Sequence, residues 1–277
     1  MSRLLAAFLL VSAFASVSLA QKPSDKTQSA PAGVAGASGV SKDYSDESYV
    51  IEQSRTLYRF ENDGTGRKET IARIRVQSEA GVEQWGQLVF GYNSANEKVE
   101  IAYVRVRKKD GSVVTAPADA VQDLTAPVER EAPVYTDFRQ KHITVPGLRP
   151  GEILEYDFVT IIHTPLAAGQ FWTEYDFEKN GIVLNEQLDI DIPRDRSVKL
   201  KTKPGRDPKI TETNGRRTYH WESSHLIRED DKKYKDKDTR KKPKKKSDDF
   251  PAVQMTTFAT WEDVGRWYAT LEHARSL

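Results

Sequence analysis

No cysteine occurs among the 277 residues, which excludes disulfide staples, thiolate metal ligands and a thiol nucleophile together. A lipid carried on a cysteine is excluded with them. Surplus charge is nearly absent as well: 42 basic and 41 acidic residues leave +1, so no global field draws the chain to nucleic acid or a membrane surface. After the first twenty residues, no run approaches the roughly 18 to 20 apolar residues that a bilayer-crossing helix needs. Neither an Asn-x-Ser/Thr sequon nor a Gly-x-Ser-x-Gly nucleophile elbow is found, which removes the usual marks of N-glycosylation and of a hydrolase serine. The five histidines are scattered: His220 and His225 fall on opposite faces of a shared strand, and His142, His163 and His273 lie in separate elements. No metal ligand set follows from that spacing.

The N-terminus has its own pattern. Arg3, a largely apolar stretch from Leu4 to Val17 and the small residues Ser18 and Ala20 match an export signal cleaved after Ala20. With no sequon, this leans toward a bacterial exported protein, periplasmic or secreted. Residues 21–46 are rich in Ser, Ala, Gly, Pro and Lys and poor in large apolar side chains. They cannot bury enough surface to offset ordering entropy, and a disordered tether is expected.

From 47 to 228 the pattern is period two, broken by turn residues. Phe171, Thr173, Tyr175 and Phe177 alternate with Trp172, Glu174, Asp176 and Glu178. Leu184, Leu188, Ile190 and Ile192 oppose Asp189 and Asp191, and Val198 and Leu200 oppose Lys199 and Lys201. Ile74 and Val76 stand against Arg73 and Arg75, and Leu154, Tyr156 and Phe158 stand against Glu155 and Asp157. One dry and one wet face is the signature of antiparallel sheets. Asp63-Gly64, Asp110-Gly111 and Asn214-Gly215 supply hairpin turns, and Pro146-Gly147 with Pro150-Gly151 a stiff turn before the Leu154 strand. The expectation is a mainly β fold, an antiparallel two-sheet β-sandwich.

Residues 229–250 break the pattern with ten Lys or Arg between Lys232 and Lys246, interspersed with aspartates. Such a run stays solvated as a charged linker, and weak salt-sensitive contact with an anionic polymer is the one partner it suggests. With Tyr234 its only aromatic and no aromatic interleaving to stack on bases, specific nucleic-acid recognition is not expected. Residues 251–277 then read as linker and amphipathic helix. Thr260 and Asp263 approximate a capping box, and Trp261, Val264, Trp267, Tyr268 and Leu271 fall on one side, so this helix must dock against something.

The order of motifs carries a resemblance. Tyr135-Thr136-Asp137-Phe138-Arg139, then Ile143-Thr144-Val145-Pro146-Gly147-Leu148 and Gly151-Glu152-Ile153-Leu154-Glu155-Tyr156, then Thr256-Thr257-Phe258-Ala259-Thr260-Trp261 with Trp267-Tyr268, follow one another over residues 47 to 271. This succession is similar to the N-terminal domain of unknown function that precedes transglutaminase-like, papain-like domains in exported bacterial proteins. The lysine-rich run is longer than that pattern. The family's catalytic Cys-His-Asp unit would lie downstream of Leu277, so no catalytic residue is carried over. The resemblance implies a β-sandwich beside a catalytic module absent from this chain, helping to position a peptide or protein substrate.

Among polar residues, Tyr135, Asp137 and Arg139 share strand parity and form the candidate binding row, with a structural Asp–Arg ion pair as the plainer explanation. Asp189 and Asp191 share a face, which solvent explains because no third acidic ligand follows at useful spacing. Trp261, Val264, Trp267, Tyr268 and Leu271 are the candidate interdomain contact. No catalytic residue, metal or cofactor is expected. The function expected is a non-catalytic accessory domain of an exported transglutaminase-like protein. Its rivals are a stand-alone binding module for peptide, glycan or anionic polymer, and an enzyme using Asp189 and Asp191.

Overall fold

The computed structural model describes residues 44–125, 137–227 and 250–275. The export signal, nearly all of the tether and the lysine-rich run lie outside them. The described elements are β1 (Tyr49–Phe60), β2 (Gly66–Val76), α1 (Glu79–Trp85), β3 (Gln87–Asn93), β4 (Glu97–Arg107), β5 (Val113–Thr115), β6 (Val121–Thr125) and β7 (Phe138–Thr144). There follow β8 (Ile153–Ile162), β9 (Trp172–Tyr175), β10 (Ile182–Pro193), β11 (Lys199–Thr202), β12 (Lys209–Thr213), β13 (Arg216–His225), β14 (Val253–Thr256) and α2 (Trp261–Arg275).

One layer is an eight-stranded sheet ordered β12-β13-β10-β1-β2-β8-β4-β5. A row of paired residues, Trp221–Leu188–Thr56–Thr70–Phe158–Ile101, crosses six of its strands and fixes which side chains share a face. The second layer is divided into two three-stranded sheets, β3-β7-β6 and β11-β14-β9. Each covers one half of that same face with its own core. Ile74, Val106 and Leu154 meet Phe90 and Ile143 in the first; Phe60, Leu188, Ile190 and Trp221 meet Phe171 and Met255 in the second. The mainly β sandwich expected from the alternation is present. Full burial of each such side chain contributes about 1.5–3 kcal/mol.

The punctuation holds. Asn214 and Gly215 take positive φ of 52° and 73° between β12 and β13, the backbone that a tight hairpin demands. Gly64, at φ 88°, also lies so close to the Gln170 carbonyl that a Cβ would stand 2.5 Å from its oxygen.

Three features depart from the expectations. The sheet is not wholly antiparallel: β1 and β10 pair in parallel, Thr56 beside Leu188. More than a hundred residues separate these strands, and local alternation carries no signal for a pairing that no hairpin closes. Leu184 is exposed although it shares parity with Leu188, because the register of β10 slips between Val183 and Glu186 and buries Ile182 and Val183 together. Residues 253–256, assigned above to linker, form the central strand of the β11-β14-β9 sheet with Val253 and Met255 in the core. Four residues are too short a run for period two to stand out beside the lysines.

The outer face of the large sheet is ionic. Glu155, 7% exposed, accepts from Arg105 at 2.7 Å and pairs with Arg73 and Arg107. Arg55 and His220 meet on Asp189 at 3.1 and 2.6 Å, and Arg216 pairs with Asp191. Both aspartates have the outward parity expected, but Asp189 is only 7% exposed, so its ion pairs and not solvent satisfy it.

A different carboxylate sits inside. Glu186 is 4% exposed between β10 and β9, accepting from the Tyr175 hydroxyl at 2.7 Å and the Glu178 N–H at 3.0 Å. Burial pushes its pKa up, and these two donors only partly oppose the shift. The folded state thus holds this proton more tightly than the unfolded chain. Its contribution to stability is complete below the ordinary glutamate pKa of about 4.3 and is lost as pH rises through the folded value. Glu186→Gln should flatten that loss in urea unfolding at pH 4, 5, 6 and 7; equal pH dependence in both proteins would contradict it.

Candidate functional site

Helix α2 begins with a reciprocal cap: the Thr260 hydroxyl accepts from the Asp263 N–H at 3.1 Å, and the Asp263 carboxylate accepts from the Thr260 N–H at 2.9 Å. One turn and a half later, Trp267 enters an aromatic trio. Its ring centroid lies 5.5 Å from Trp172 and 5.8 Å from Phe258, which are 5.8 Å from each other. Its indole N–H donates to the Leu166 carbonyl at 3.0 Å. The β8–β9 connection, β9 and the segment after β14 therefore meet on one side chain.

Beside this anchor, a groove of about 480 Å³ separates α2 from the outer face of the β11-β14-β9 sheet. Strand register orders its floor in two rows, Trp172–Thr256–Lys199 and Glu174–Gln254–Lys201. Trp261 and Val264 form the helical wall with Trp267. The Gln254 amide donates to Glu174 at 2.8 Å, and the Lys201 ammonium lies 4.0 Å from the Phe250 ring centroid. An apolar channel with a few fixed polar groups is the common build of a binding site. Chemically it can hold an extended apolar or aromatic segment with acidic groups toward Lys199 and Lys201.

The five helix residues expected to face a partner divide. Trp267 and Val264 are partly buried against the sandwich, whereas Trp261 is 85% exposed, Tyr268 59% and Leu271 42%. The 120° between the two tryptophans on a helix gives each a different neighbour.

The polar row is not assembled as parity implied. Tyr135 lies outside the described residues. Asp137 precedes β7, and its backbone carbonyl accepts from the Ser94 N–H at 2.7 Å and hydroxyl at 2.9 Å. Arg139 donates instead to Asp123 of β6 at 2.9 Å, where the Tyr92 hydroxyl also donates at 2.7 Å. Burial would raise the Asp123 carboxyl, but Tyr92 and Arg139 together hold it below the usual range. Arg139 is thus a strut within the β3-β7-β6 sheet. Asp123 was missed because parity within one strand cannot report a partner from the next. Lys199, Lys201, Glu174 and Trp172 were legible as an outward face, but nothing local placed a helix above them. Among the described residues no group of three or more His, Asp or Glu could hold a metal ion, and no helix is long and apolar enough to cross a membrane.

The fold also occurs in known proteins. The DUF3857 family model, described as a domain of unknown function with a solved structure, matches residues 62–229, and the chain belongs to that family. The crystal structure of a Parabacteroides distasonis protein, provisionally described as a protease, matches with TM-score 0.64 and 16% identity over 78% of this chain and 41% of that one. This likeness shows the fold; the chain spans less than half of that protein. An M1 zinc metallopeptidase from Deinococcus radiodurans, in its E323A form bound to a Tyr-Ser-Ala substrate, gives TM-score 0.35 and 10% identity over 64% of this chain and 39% of that one. The comparison with curated proteins gave no match.

Proposed function

We propose that this chain is the non-catalytic accessory domain of an exported transglutaminase-like protein, and that helix α2 joins it to a catalytic module which carries the Cys-His-Asp unit. The observation that carries this proposal is the division of α2: Trp267 pins it to the sandwich, while Trp261, Tyr268 and Leu271 stay exposed in a helix of only fifteen residues. Large apolar side chains left in water on an anchored helix are the mark of a contact surface. The motif succession names the class of the partner, and the fold match to part of a longer protein agrees with an accessory role. The groove beside α2 would then hold the peptide or protein substrate near the junction.

The groove also favours a second hypothesis, a stand-alone module that binds peptide or glycan on Trp172 and its polar neighbours, with anionic polymer held through Lys232 to Lys246. An enzyme built on Asp189 and Asp191 has less support, since Arg55, His220 and Arg216 already engage both carboxylates.

Calorimetric titration with a separately expressed transglutaminase-like module from the same genome separates the first two. Micromolar binding that Trp261→Ser with Leu271→Ser weakens about tenfold or more supports the joint. No binding to the module, with retention on immobilised peptide or glycan, supports the free-standing module instead.

A further inference from the structure

We propose that Arg75 and Arg107, on the outer face of the eight-stranded sheet, form a receptor for a phosphate-type oxyanion. Strand register places both beside Ile153, one on each side. Two strand spacings set their Cα atoms roughly 10 Å apart, so the two guanidiniums can converge above the isoleucine. The next row repeats the arrangement with a carboxylate at its centre, Arg73–Glu155–Arg105.

The charges of this quartet do not balance. Glu52 serves Arg73 at 2.8 Å and Arg75 at 3.2 Å. Glu155 serves Arg73 and Arg105 closely and Arg107 only at 3.5 Å. Four guanidiniums thus share two carboxylates, and two positive charges remain. The buried Nε of Arg107 has no hydrogen-bond partner, and that of Arg75 meets Glu52 at 3.2 Å as an ion pair without hydrogen-bond geometry, so the shortfall falls on these two residues. Their outer neighbours in the row are Val50 and Val113, and the two arginine side chains, 42% and 39% exposed, are open to a ligand from solvent. Asp157 lies two residues from Glu155 along β8, in the row of Ile71 and Tyr103.

A doubly charged oxyanion matches the residual charge, and several oxygens on one centre suit two planar forks at once. The phosphate could be free in solution or carried on a lipid headgroup. Neither the groove nor helix α2 takes part, so this site stands or falls apart from the proposed joint.

The test is calorimetry of the full chain with inorganic phosphate at low salt. The wild type should bind. Arg75→Gln with Arg107→Gln should weaken binding about tenfold or more, and Arg107→Lys, which keeps the charge but loses the fork, by a smaller factor. Arg59→Gln, altering an arginine paired with Glu61 on the same face, should leave binding unchanged. A strut would lower the thermal midpoint when removed; Arg107→Gln should leave the phosphate-free midpoint unchanged or raised and abolish its rise with phosphate. Sedimentation with phosphatidylglycerol vesicles identifies the source. Retention lost in the double variant assigns the headgroup, while retention that persists assigns vesicle contact to another surface and leaves free phosphate as the ligand. No phosphate binding by the folded wild type, or equal affinity in the double variant, would overturn the proposal.

Discussion

Trp267→Ala should release helix α2 while the sandwich stays folded. The substitution removes the ring contacts to Trp172 and Phe258 and the hydrogen bond to Leu166, together worth about 2–4 kcal/mol of docking free energy for a half-buried tryptophan. An isolated helix of this length is marginal in water, so undocking amounts to unfolding it. Amides of residues 261–275 should lose most of their hydrogen-exchange protection and the helical circular dichroism should fall. The sandwich midpoint should move little, because both hydrophobic cores lie on the other face of the β11-β14-β9 sheet or beyond it. Trp261→Ala should leave the same amides protected, since that side chain is almost wholly in water. Equal protection in Trp267→Ala and wild type would show that something else holds the helix.

Glu155→Ala should be the more damaging change for the body itself. It strips Arg73, Arg105 and Arg107 of a shared acceptor in the middle of the large sheet. Removing one member of a fully buried pair costs about 3–5 kcal/mol; with guanidiniums roughly a third exposed, about 2–3 kcal/mol is expected in urea unfolding at neutral pH. Burial alone would raise the Glu155 pKa, but Arg105, Arg107 and Arg73 together hold it below the ordinary range. That stabilisation is present above the unfolded glutamate value of about 4.3 and is lost as pH falls through the folded one. The variant should therefore lose part of the acid limb of the stability profile, opposite in sign to the effect at Glu186. Adding Arg107→Gln should recover part of the loss, because it removes a cation left without an acceptor. A neutral Glu155→Ala would show that solvent alone satisfies the three arginines.

These contrasts mark what the sequence makes legible. Alternation placed Ile74, Leu154 and Phe171 inside and Arg73, Glu155 and Lys199 outside, since a half-buried strand writes its two faces directly into odd and even positions. The hairpin turns and the Thr260 cap are local chemistry and were readable for the same reason. Relations across distant strands were not. The parallel β1–β10 pair, the Asp123 partner of Arg139 and the arginine quartet around Glu155 all depend on which strands become neighbours. Trp267 and Trp261 looked alike along the helix, and only the position of Leu166 and Trp172 on the body decides which one is buried. The candidate groove was half legible: its floor is an ordinary outward strand face, and its wall comes from a helix that periodicity could orient but not dock.

The most direct measurement is steady-state kinetics with the chain and a transglutaminase-like module from the same genome supplied separately, using a protein substrate. The chain alone should give no turnover above buffer, and its addition to the module should lower KM several-fold with kcat unchanged, as expected when one partner supplies substrate binding and the other the reacting groups. Turnover by the chain alone, or a module whose KM ignores the chain at saturating concentration, would contradict the accessory role.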